Sequence, residues 1–168
     1  MNSQITNILL KQENLKINLE AYASAFENLS SENYRITLEP LFCEQVFFQD
    51  PFNKVTGKEA TLNIFAHMFS TLQSPKFTVT HACLQRARKA HRINQTEFIG
   101  MLYWQFEFST QNSKKMHCFD GMSKVTFNRQ GLISSHIDYW DPTEVVYEKV
   151  PLLSWLVKKV RQKLSVPT

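Results

Sequence analysis

Only four of the 168 residues are glycine and only three are cysteine. So little glycine excludes collagen-like and glycine-rich flexible classes, and no low-complexity tract or internal repeat occurs. Cys43, Cys83 and Cys118 are odd in number, scattered and without a C-x-x-C spacing. They therefore indicate neither a disulfide framework nor a structural zinc site, and they read as buried small hydrophobic residues. No apolar run approaches the roughly 20 residues of a membrane-spanning helix. The opening "MNSQITNILLKQENLK" lacks the basic start and apolar stretch of a secretory signal, so a cytoplasmic location is expected.

Hydrophobic residues make up 43% of the chain, and a chain of this length can bury about 70% of the surface it exposes when unfolded. One domain with a sizeable core, spanning 1–168, is the expectation. The formal charge is +4, but the basic residues fall into two separate groups, "RARKAHR" and "KKVRQK", neither interleaved with aromatic residues as a single-strand binder requires. Solvated charge explains them better than nucleic acid does, and no nucleic-acid partner is expected.

Leu15, Leu19, Tyr22, Phe26 and Leu29 recur at spacings of four and three, the stripe of an amphipathic helix following a polar leader. A short helical turn from Thr37, with Pro40 in its first turn, leads through Val46 and Phe48 to "QDPF". "TGKE" has the form of a capping box, Thr56 with Glu59, so a helix should run from Gly57 to about Leu72. Beyond Pro75 the period becomes two. Candidate strands are Phe77 to Leu84, Thr96 to Ser109, Met116 to Phe127 and Leu132 to Trp140. Helices first and an antiparallel meander afterwards define an α+β domain, with the N-terminal helices packed on one face of a curved sheet.

By alternation, Phe98, Leu102, Trp104, Phe106 and Phe108 share one apolar face, and His136, Asp138 and Trp140 share one face of the last strand. Ile133, Ile137 and Tyr139 fall on the other face. The pair His136 and Asp138 fits either a carboxylate orienting an imidazole or a structural buried ion pair. No third ligand is placed near them, so no metal is expected. His67, His81, His91 and His117 read as packing or surface. Asp50 lies among Phe47, Phe48 and Phe52 and before Pro51, so it reads either as a turn former or as a carboxylate desolvated for proton transfer. Residues 143–164 form a helical extension divided at Pro151, whose apolar stripe docks on the fold or a twin subunit, with a membrane-surface helix as the alternative.

The order of elements, together with "QDPF…TGKEA", "FDGMSKVTF" and "HIDYWDP", resembles the SnoaL-like branch of the nuclear-transport-factor-two-like superfamily over about residues 15 to 142. The resemblance implies a cone of bent antiparallel sheet around an apolar pocket, a homodimer through the sheets, and no cofactor. Members include ketosteroid isomerase, limonene epoxide hydrolase, polyketide cyclases and non-enzymatic proteins, so function does not follow from the fold. The isomerase pattern would place its general base at Asp50, its oxyanion tyrosine at Tyr22 and its second donor at Ser123, with Asp120 on the opposite face. The epoxide hydrolase resemblance rests on Asp138, but its Arg-x-Asp pair is missing around Leu102 to Trp104.

Two readings follow. In one, a small, largely apolar molecule sits in the cone, walled by Trp104, Phe106 and Trp140 with Ser123, and Asp50, Tyr22, His136 and Asp138 supply acid–base chemistry. In the other, the pocket is vestigial and the sheet face or C-terminal helix binds a protein or membrane.

Overall fold

The spacing of Leu15, Leu19, Tyr22 and Phe26 produces the first helix, α1 (Asn2–Glu27), and all four side chains are buried. The computed structural model describes residues 2–86, 98–110, 113–145 and 159. Helix α1 begins well ahead of its apolar stripe, so the polar leader is helical as well. After a turn held by Asn33, whose Oδ1 accepts from the Ser30 amide at 2.7 Å, α2 (Tyr34–Leu38) runs into a 3-10 turn, Glu39–Leu41, that accommodates Pro40.

Strand β1 (Phe42–Gln49) follows, burying Phe42, Val46 and Phe48. It pairs with the short β2 (Lys54–Thr56) before α3 (Lys58–Thr71). The expected capping box does not form. Thr56 is taken up by ladder pairing with Phe47, so Gly57, at φ 109°, makes the turn and becomes the N-cap without a side-chain bond. Glu59 instead forms a two-pronged pair with Arg35 of α2, at 2.8 and 2.9 Å, linking the two helices.

Strands β3 (Leu72–Arg86), β4 (Phe98–Thr110), β5 (Ser113–Phe127) and β6 (Ile133–Tyr139) complete a six-stranded sheet in the order β2-β1-β6-β5-β4-β3. The sheet is mixed, because β1 runs parallel to β6 while every other pairing is antiparallel. Register shifts in β3, at Phe108/Thr110 and at Thr126/Phe127 bend the strands, so that α1 and α3 pack within their curve. Pro75 is tolerated because β3 is an edge strand.

Three sequence expectations change here. The irregularity between Phe127 and Thr126 turns Ile133 into the core alongside His136, although simple alternation separates them, so of the three residues expected on the outer face of β6 Ile137 and Tyr139 remain there. Cys83 and Cys118 are exposed and Cys43 is half-buried, because strand alternation places Cys83 and Cys118 on the outer face. Finally, β1 and β2 occupy a stretch for which the sequence predicts no strand, only a helical turn leading to "QDPF". Past Asp141, α4 (Pro142–Val145) begins with Thr143 donating its amide to the Asp141 carboxylate at 2.8 Å. The rest of the C-terminal extension, apart from Lys159, and all of "RARKAHR" except Arg86 lie outside the described residues. Among the described residues no helix is long and apolar enough to cross a membrane.

Candidate functional site

Ladder register brings the site together. Ser123 on β5 lies directly opposite Asp138 on β6, and Val125 lies opposite His136, so both polar β6 residues face inward with Ser123. Asp120 is exposed on the other face beside Gln105, as alternation requires. Trp104 on β4 lies opposite Gly121, and a Cβ there would collide with its six-membered ring. The glycine lets the indole lie across β5 and reach Ser123.

A chain of side-chain hydrogen bonds results. Trp104 Nε1 donates to Ser123 Oγ at 2.8 Å, and Ser123 Oγ donates to Asp138 Oδ1 at 2.5 Å. His136 Nε2 lies 2.7 Å from the same Oδ1, and its Nδ1 lies 2.8 Å from the hydroxyl of Tyr22 on α1. Only one tautomer satisfies every member. Tyr22 is fully buried and has no other polar partner among the described residues, so its proton must go to Nδ1 and the imidazole must be neutral, with its proton on Nε2. An imidazolium would leave the buried phenol hydrogen without an acceptor. Burial, and then the charge of Asp138, hold the Tyr22 hydroxyl well above the ordinary tyrosine range.

His136 is fully buried, stacked between Phe26 and Phe48 at centroid distances of 5.6 and 5.1 Å with rings within about 11° of parallel. This packing fixes the imidazole plane, and the Tyr22 bond fixes its rotation. Among the described residues, all hydrogen bonds to Asp138 engage Oδ1 and none reaches Oδ2.

Asp138 lines a cavity of about 560 Å³ between α3 and the curved sheet. Trp104, Phe106 and Trp140 wall it, with Phe119 stacked on Trp140 at 4.5 Å. Tyr22, His136 and Ser123 do not line this space; they lie behind Asp138 in the hydrogen-bonded chain. Asp50 does line it, but as a turn residue. Its Oδ1 accepts from the amides of Phe52 and Asn53 at 2.7 and 2.6 Å, and Asn53 Nδ2 donates to both carboxylate oxygens. The expected enclosure by three phenylalanines is absent, because Phe47 alternates to the outer face under Lys54, Phe52 is 52% exposed and only Phe48 enters the core.

Two further contributors escaped the sequence reading. His67 lines the cavity from α3, where its spacing of three from Ile64 and four from Thr71, both lining residues, could have signalled it. Gly121, in the middle of an otherwise substituted strand, carried the usual signal of close approach.

No family model and no curated protein matches the chain. Solved structures do. A protein of unknown function from Exiguobacterium sp. 255-15, described as NTF2-like, aligns at TM-score 0.58 and 14% identity over 74% of this chain and 98% of its own. A protein from Jannaschia sp. CCS1 given the name of a SnoaL-like polyketide cyclase aligns at 0.58 and 12%, over 76% and 88%. An LEH-like epoxide hydrolase from M. tuberculosis aligns at 0.55 and 14%, over 89% and 97%. At these identities the likeness is one of fold, and by that likeness the chain has the α+β cone fold of the nuclear-transport-factor-two-like superfamily.

Proposed function

We propose that the protein binds a small, largely apolar molecule in the cone and transfers a proton on it without a cofactor, with Asp138 as the base. The observation that carries this reading is the asymmetry of the Asp138 carboxylate. One oxygen is clamped by two donors, while the other accepts from none of the described residues and belongs to a group lining an apolar cavity. Oδ2 takes a proton from a bound acidic C–H or O–H and returns it elsewhere on the same molecule or to its leaving group, so no external reductant or oxidant is needed. His136, Ser123, Trp104 and Tyr22 are positioning residues, because fixing Oδ1 fixes where Oδ2 stands. Asp50 shapes the cavity edge. The cavity's existence also favours this reading over a vestigial pocket, which Trp104, Phe106 and Trp140 would fill.

Native mass spectrometry of protein from its own host tests the binding half. A copurified small molecule lost on denaturation is expected, and repeated recovery of empty protein with no molecule in its extract counts against it. For the chemical half, Asp138→Asn should abolish conversion of that molecule, typically by 10²-fold or more for loss of a general base, while Asp50→Asn leaves it within a few-fold. Equal losses in both variants would remove Asp138 from its role.

A further inference from the structure

Resting on the reading of the cone as a ligand site, we infer that its ligand is an organic cation, an ammonium or quaternary ammonium group carried on an apolar body. The charge balance of the site leads there. Among the described residues Asp138 receives hydrogen bonds only from neutral donors, since the tautomer forced by buried Tyr22 leaves His136 uncharged. Asp50, the other carboxylate on the cavity, is likewise held by backbone amides and the Asn53 amide. Among the described residues no Lys or Arg lines the cavity, and neither carboxylate takes part in an ion pair with one. A negative group drawn partly out of water, with neutral partners only, lacks a countercharge that a ligand can supply.

The walls suit the same ligand. Eight phenylalanines and two tryptophans line the cavity, Trp104, Phe106, Phe119 and Trp140 among them. Aromatic rings attract a cation electrostatically while excluding the water that competes for it, and a carboxylate among such rings is the usual recipe for holding alkylated ammonium groups. A neutral apolar molecule would gain only from the walls. An anion would meet two carboxylates and no Lys or Arg of the described lining, with His67 as its one imidazole.

Two probes of nearly equal shape isolate the charge: benzyltrimethylammonium and its carbon isostere, 2,2-dimethylpropylbenzene. Binding to the wild-type protein is followed by quenching of tryptophan fluorescence and by NMR shifts of the cavity methyl groups. The cation is expected to bind at least about tenfold more tightly than the isostere, the range open to a desolvated cation beside aromatic rings and a carboxylate. Asp138→Asn should erase that preference while leaving isostere binding within a few-fold. The comparison on the wild type stands without the variant, should the variant fold poorly. Isostere binding equal to or tighter than cation binding overturns the cation inference alone and leaves an apolar ligand in the cone. If neither probe enters, the cation inference falls, and the copurification measurement decides the broader reading.

Discussion

At the scale of single residues, the two carboxylates of the cavity differ in what holds them, and that difference is measurable. Asp50 accepts two backbone amides in a tight turn, so Asp50→Ala should lower stability by about 1–2 kcal/mol, the usual cost of such local bonds. Chemical denaturation checks this. Gly121→Ala should do something different. The added methyl group collides with the Trp104 ring, so overpacking should cost about 1–3 kcal/mol and pull the indole from Ser123, which a shift in tryptophan emission would report. A variant of wild-type stability and emission would show that the indole has room to move aside.

At the scale of elements, Tyr22 and His136 tie α1 to β6 through one buried hydrogen bond. Tyr22→Phe leaves Nδ1 without its donor and should destabilise by about 1–3 kcal/mol at neutral pH. Its pH dependence follows from the raised Tyr22 value. The folded state keeps the phenol proton where the unfolded chain releases it, so the stabilising contribution is fully present below the unfolded value of about 10 and falls as pH rises above it. Wild type should therefore lose more stability than Tyr22→Phe between pH 9 and 11, which urea titrations at both ends would show. Equal losses would mean that Tyr22 does not keep its proton in the fold. The elements themselves were largely legible: α1, α3 and β3 to β6 announce themselves by clean periods of 3.6 or two. β1 was not, because its buried Phe42, Val46 and Phe48 follow Pro40 and a helical turn, and its parallel pairing with β6 has no local signature. The same limit applies to the site. That His136 and Asp138 share a face follows from alternation, but that Ser123, Trp104 and Tyr22 complete the chain depends on strand register and contacts across four elements. The enclosure expected around Asp50 is absent because Phe47 and Phe48 alternate to opposite faces of β1 and Phe52 lies exposed in the turn beyond it.

At the scale of the whole molecule, the outer face of the sheet exposes a row of large apolar side chains among the described residues. Tyr103, Met122 and Tyr139 form one row in register across β4, β5 and β6, exposed by 40%, 44% and 56%, with Met101 beside them. Adjacent exposed side chains of this size are more than scattered surface residues, and a stable pair needs roughly 800 Å² from each partner, an area one sheet face can offer. We expect a homodimer through this face, in which the row of one subunit packs on the same row of the other. Sedimentation equilibrium at tens of micromolar, on the order of ordinary dimer affinities, should show a dimer that Met122→Lys converts to monomer. Cys83 supplies an independent reporter, since it is exposed on the same face and pairs in register with Met101. Cys118 shares that face, but desolvation, then Glu107 and Asp120, push its thiol up and slow its alkylation. Alkylation of Cys83 should therefore slow as protein concentration rises, and Met122→Lys should abolish that slowing. A wild-type protein that sediments as monomer and alkylates at one rate at every concentration would place no twin subunit on this face.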